Sequence, residues 1–105
     1  MNSNTEETNG GKHSRLGLRF DLCDPLAEMA KARILAEGVE KYGEDPQWKR
    51  IPVHIHLNHA LYHIHQWLRG ESESGEDHLA HAYCRMMFAV GLEKARTAKD
   101  DPTGF

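Results

Sequence analysis

Three pairs of side chains in this 105-residue chain have the types and spacing to hold a cation or act on a phosphate. Glu37 and Glu40 stand three apart in AEGVEKYG, His59 and His63 stand four apart, and His78 and His81 stand three apart in HLAHA. On a helix, residues three or four apart share a face, so each pair can present two ligating atoms together. Carboxylate oxygens are hard donors that suit Mg2+, whereas imidazole suits softer divalent ions. Each pair also has an ordinary reading. Two glutamates at this spacing usually make a solvated helix face, and a histidine at a helix start is usually tied to backbone or water. No HExxH motif is present to support a zinc protease. Cys23 and Cys84 form no CxxC pattern and read as small buried hydrophobes, reduced thiols of an intracellular protein.

The elements that must position these pairs are helices. Asp24-Pro25 is a helix start, with Asp as N-cap, Pro at the first position and Glu28 in the first turn. That helix is predicted to run over 25–42 and stop at Gly43. A second is predicted over 52–69, ending at Gly70, and a third over 77–98, capped by Asp77. Leu16, Leu18, Phe20 and Leu22 alternate with polar or small residues, which predicts an extended segment lying across the helices. Residues 1–15 are small and polar and predict a disordered tail, and 100–105 a frayed end. With no convincing strand pair, the chain reads as all-α: a small antiparallel bundle of three main helices, completed by dimerisation, with an extended N-terminal segment.

Helical periodicity sorts the faces. On the second helix Val53, Leu57, Ala60, Leu61, Ile64, Trp67 and Leu68 make an apolar stripe, predicted as core, with His59 and His63 bordering it. On the third, Leu79, Tyr83, Met86 and Val90 make the stripe, beside His78, His81 and Arg85. On the first, Glu37 and Glu40 continue the face of Leu26, Met29 and Ala30, which predicts that they turn inward. Polar clusters at the edges of three packed stripes can converge on one site.

Bulk composition excludes several classes. The length is that of one domain, with 28% charged and 39% hydrophobic residues and a net charge of −3. No Lys/Arg cluster offers a surface for a nucleic acid polymer. No apolar run approaches the roughly 20 residues that span a bilayer, and the N-terminus lacks a signal-peptide stretch. The expected location is the cytoplasm. Histidine is the unusual residue: there are eight, all but His13 lying between His54 and His81.

The blocks RFDL (19–22), AEGVEKYGE..QW (36–48), H..QWLRGE (63–71) and SGEDHLAHAYCRMMF (74–88) resemble a phage-associated family. It is the N-terminal domain of dATP/dGTP diphosphohydrolases, a relative of the all-α MazG-like nucleotide pyrophosphohydrolases. The resemblance spans residues 18 to about 93, and the order and spacing of the blocks are more specific than any one of them. In MazG-like enzymes an ExxE helix and a later ExxD helix hold Mg2+ over a triphosphate. By resemblance Glu37 and Glu40 match ExxE and supply the catalytic carboxylates. His78 and His81 take the place of ExxD. Either the ion is then softer than Mg2+, Mn2+ for example, or the histidines contact phosphate and the ion rests on carboxylates alone. Asp77, Glu73 and Glu76 stand nearby as further carboxylates.

The implied reaction is metal-dependent hydrolysis of a purine dNTP to dNMP and diphosphate. Lys41, Arg69, Arg85 or a protonated His63 would meet the phosphates, and the loop residue Trp48 would stack on the base. A homodimer or higher homo-oligomer would complete the open helical edges. Two rival readings stand beside the enzyme. One is a non-catalytic helical metal-binding or interaction module, favoured by the loss of ExxD; the other is a domain that needs a fused catalytic partner.

Overall fold

The computed structural model describes residues 5–100. Three helices carry the fold: α1 (Pro25–Tyr42), α2 (Val53–Leu68) and α3 (His78–Asp100). Their ends follow local chemistry. The Asp24 carboxylate accepts from the Ala27 backbone N–H at 2.9 Å, and Pro25 occupies the first helical position. Gly43 takes a positive φ of 85° that disfavours any side chain, and its N–H closes α1 on the Val39 carbonyl. Asp77 caps α3 by accepting from the Ala80 N–H at 3.1 Å.

The segment read as a loose tail is ordered where the structure describes it. Thr5–Thr8 (β1) and Gly11–Ser14 (β2) pair antiparallel, with Thr5 opposite Ser14 and Thr8 opposite Gly11. Asn9 (φ 52°) and Gly10 (φ 81°) make the two-residue turn. Positive φ at both positions gives a turn whose twist matches the strands, which is why Asn-Gly favours it. Residues 1–4 of the expected tail, and 101–105 of the expected frayed end, lie outside the described residues. Leu16 and Leu18 do not pack across the helices. They and Phe20, in the one-turn 3-10 helix Phe20–Leu22, are exposed, and Arg19 closes on Asp21 through two hydrogen bonds of 2.8 and 2.7 Å.

The α2–α3 contact corrects the expected core. His63 meets His78 and His81, and His56 meets Arg85, so positions descend along α2 as they ascend along α3 and the pair is antiparallel. Of the expected apolar stripe only Ala60 lies between the helices. It is buried there with Ala82 and Ala89 and with His56, His63 and His78, while the buried Ala80 and Cys84 lie on the opposite side of α3, toward Lys31 of α1. Small side chains let the helices approach closely, and imidazoles fill the remaining space as flat, hydrogen-bonded plates. The large residues of the stripe expected to be core face outward: Leu57 is 38%, Leu61 53%, Ile64 37% and Leu68 66% exposed. Leu79, Tyr83, Met86 and Val90 of α3 are likewise exposed.

Both outward stripes step by four, three and four residues, the spacing of a helix–helix seam. Each lies about 100° around its helix from the buried face. Because the helices are antiparallel, this rotation carries both stripes to the same side of the pair. Helix α1 rests on α3 and, among the described residues, makes no contact with α2. Its half-buried side carries Ala27, Glu28, Lys31 and Ile34, joined to α3 where the Tyr83 hydroxyl donates to Glu28 at 2.7 Å. Lys31 pairs with the same Glu28 at 2.6 Å and sits 4.9 Å from the Tyr83 ring centre. The result is the expected small bundle of three main helices, open on the side where the two apolar stripes lie.

Candidate functional site

Hydrogen bonds run in series through the α2–α3 contact. In the loop after α2, Glu71 accepts from the Ser74 backbone N–H at 2.9 Å and hydroxyl at 2.8 Å. Its Oε1 also lies 2.5 Å from His78 Nε2. These donors, His78 first, hold the Glu71 carboxyl down at about 2. On the far side of the His78 ring, Nδ1 lies 2.9 Å from Nδ1 of His63. The His63 ring stacks on His81 with centroids 4.6 Å apart and planes within 16°. His81 Nε2 in turn is 4.0 Å from Glu76 Oε1. His63 Nε2 makes no hydrogen bond, yet no buried side-chain nitrogen or oxygen among the described residues lacks a partner, so this atom reaches the surface.

Two turns further along, His56 is fully buried and its ring orientation is fixed. Nε2 lies 3.0 Å from the Trp48 carbonyl, which can only accept, so Nε2 carries the proton. Nδ1 then accepts from Arg85 Nη1 at 3.1 Å. The Trp48 ring lies flat on Phe88, with centroids 4.6 Å apart and an 11° interplanar angle, which fastens the 3-10 turn Gln47–Arg50 to α3. Arg85 is part-buried, and burial pushes its pKa down. Among the described residues it has no carboxylate partner. Tyr42, at the end of α1, lies within electrostatic range of its guanidinium.

The expected metal cluster is not assembled within one chain. Among the described residues no three His, Cys, Asp or Glu side chains converge on a point that could hold an ion. Glu37 and Glu40 are exposed rather than turned inward; the half-buried side of α1 carries Ala27, Glu28, Lys31 and Ile34. His78 offers no free nitrogen, since both are already hydrogen-bonded. Asp77 caps α3, and His81 lies against His63 with Glu76 4.0 Å from its Nε2.

The residues expected to face phosphate or base stand in different surroundings. Burial, with His81 adding to it, pushes the His63 pKa down, so at neutral pH it is not the cation expected to meet a phosphate. One face of Trp48 is covered by Phe88, which makes it an anchor instead of an open base platform. Arg69 donates to Gln66 at 2.6 Å and lines a shallow depression of about 200 Å³ with Gly70, Glu71, Ser72 and Glu73. Lys41 is exposed, 5.6 Å from the Tyr42 ring centre. Trp67, placed on the core stripe, is 54% exposed, and of the two cysteines only Cys84 is buried. Of the expected phosphate ligands, Arg85 and His63 lie inside polar clusters, and Arg85 is the permanent cation of the two. Glu71 and His56 are not among the expected site residues; the signal for Glu71 was its place closing the HIHQWLRGE stretch that begins at His63.

Among the described residues no helix is long and apolar enough to cross a membrane. No solved structure matches the chain. A dATP/dGTP diphosphohydrolase of Salmonella phage PMBT28 is 30% identical over 95 residues, covering 81% of this chain and 32% of the relative. The chain thus spans about a third of that relative's length. The family model described as "dATP/dGTP diphosphohydrolase, N-terminal" matches residues 6–102, which takes in the hairpin, all three helices and the histidine cluster. The chain belongs to the family of dATP/dGTP diphosphohydrolase N-terminal domains.

Proposed function

We propose that the chain is a MazG-like domain that binds a purine deoxynucleoside triphosphate and hydrolyses it to the monophosphate and diphosphate. The observation that carries this reading is Arg85. A part-buried guanidinium held by a neutral imidazole and facing no acid leaves a charge uncompensated, a costly arrangement unless an anion completes it. Its planar fork suits phosphate oxygens. The substrate class comes from the family and from the phage relative's name.

Glu37 and Glu40, one turn apart, are hard oxygen donors with no hydrogen bond or ion pair among the described residues. Two carboxylates of this kind fit Mg2+ or Mn2+ that arrives with its nucleotide, phosphate oxygens and water filling the remaining positions. When bound, such an ion neutralises phosphate charge and activates water. Tyr42, two residues beyond Glu40, lies within range of Arg85, which supports one site shared by the end of α1 and the histidine cluster. Arg85 would orient the phosphates, while the packed rings of Phe88 and Trp48 hold His56, and through it Arg85, in place.

The second copy expected from the sequence fits the open apolar side. The eight stripe residues of α2 and α3 expose roughly 700 Å², close to the ~800 Å² that each partner gives to a standard interface. Their matching seam spacing suits an α2–α3 pair packing on its own twofold copy as four helices. We place the domain in the cytoplasm of the host cell.

Incubating the chain with each dNTP and Mg2+ or Mn2+, and separating the products, tests the reading. Release of dAMP or dGMP with diphosphate supports it. Stable binding of dATP or dGTP without cleavage favours the second reading, a nucleotide-binding domain that needs a fused catalytic partner, to which the threefold greater length of the relative points.

A further inference from the structure

We infer that Glu71, His78 and His63 form a proton relay whose outlet is His63 Nε2, making His63 the group that deprotonates the attacking water. The inference rests on the hydrolytic reading above. Hydrogen-bond order fixes the resting form. The Glu71 carboxylate only accepts, so His78 Nε2 carries a proton. With His78 neutral, its Nδ1 is an acceptor, and the contact at 2.9 Å requires His63 to donate from Nδ1. The lone pair of His63 is then on Nε2, the surface atom that makes no hydrogen bond.

The loaded form differs by one proton. The water oxygen bonds to the α-phosphorus, the bond from that phosphorus to the bridging oxygen breaks, and its electron pair leaves with diphosphate. The water's proton goes to His63 Nε2, and the His63 Nδ1 proton passes to His78 Nδ1. His63 ends neutral with its tautomer reversed. The positive charge sits on His78, against the Glu71 carboxylate. His63 is the catalytic residue; His78 and Glu71 are positioning residues that hold its ring and receive the charge. The other charged or titratable groups facing His63 are His81 and Arg85 from α3 and Glu76 from the loop. The Arg85 charge opposes placing a second charge on His63 itself, which favours moving it inward to the carboxylate.

Nitrogen-15 shifts of the histidine rings in the full chain, followed from pH 8 to pH 5, test the relay. The expected result is His63 with a bare Nε2 at pH 8 and a bare Nδ1 at low pH, changing tautomer without becoming an imidazolium. Glu71→Gln removes the charge and keeps a hydrogen-bonding group, and should move that transition down by about one pH unit or more. In the product assay it should lower kcat by roughly tenfold or more with KM unchanged. A His63 that carries its proton on Nε2 at pH 8, or that titrates to an imidazolium, overturns the relay even if turnover is seen. The tautomer change without turnover on any dNTP overturns the assigned reaction and the base role of His63, and leaves the relay standing.

Discussion

Replacing Leu61 with alanine should break self-association while leaving the single chain as stable as before. Leu61 sits in the middle of the outward stripe of α2 and is 53% exposed. Burying a whole leucine stabilises by ~1.5–3 kcal/mol, so covering the exposed half contributes about 1 kcal/mol from each copy. A twofold interface contains the residue twice, and the loss becomes about 2 kcal/mol, or roughly thirtyfold in Kd. Within one chain the side chain is mostly in water, so truncation should change unfolding free energy by no more than ~0.5 kcal/mol. Sedimentation equilibrium over a range of concentrations reads the first quantity, and urea unfolding of the dilute chain reads the second. A wild-type chain that stays monomeric at high concentration refutes the reasoning. So does a variant that associates normally but unfolds more easily, since Leu61 would then be packed within its own chain.

Acid should act through Glu71. Its folded pKa of about 2 lies below the ordinary value of 4.5, so its contribution to stability is full above pH 4.5 and is lost as pH falls from there through about 2. Thermal melts across that window should show Glu71→Gln losing the part of the acid sensitivity that wild type displays. Asp77→Ala should cost about 1 kcal/mol, the usual loss of an N-cap, with no change in the preference between Mg2+ and Mn2+; a changed ion preference in the product assay would return Asp77 to the ligand set. Glu40→Gln removes one exposed charge without changing volume, so it should abolish turnover with Tm unchanged. Turnover at the wild-type rate would mark the α1 carboxylates as an ordinary solvated face.

Helix ends could be read from the sequence because they depend on neighbours a few residues away. Asp24-Pro25, Gly43 and Asp77 each act on backbone within one turn. The faces were harder. Periodicity says which residues share a side of α2, and it placed Leu57, Leu61, Ile64 and Leu68 together correctly. It does not say which side meets α3, and the side that does is lined by His56, Ala60 and His63. Histidine passes as a polar border residue until its ring nitrogens find partners, and the Nδ1 partners lie 15 residues away for His63 and 29 for His56. Glu71 escaped notice for the same reason, as a loop acid whose role depends on a ring seven residues on. The hairpin had its signal in Asn9-Gly10, but its strands, TEET and GKHS, lack the apolar alternation that marks a half-buried strand.

Arg85 is the residue on which the assignment turns, and phosphorus-31 spectra of dATP or dGTP with the wild-type chain and with Arg85→Gln, both with Mg2+, test it most directly. With wild type, the triphosphate signals should shift on binding and give way to those of the monophosphate and diphosphate. Loss of a charge-assisted bond to phosphate, worth ~1.5–3 kcal/mol, should weaken binding by about ten- to a hundredfold in the variant. Its Tm should be unchanged or higher, because an unpaired part-buried charge has been removed. Equal affinity in the two proteins, or a variant that loses binding only because it unfolds, would show that Arg85 is a structural partner of His56 and not a phosphate ligand.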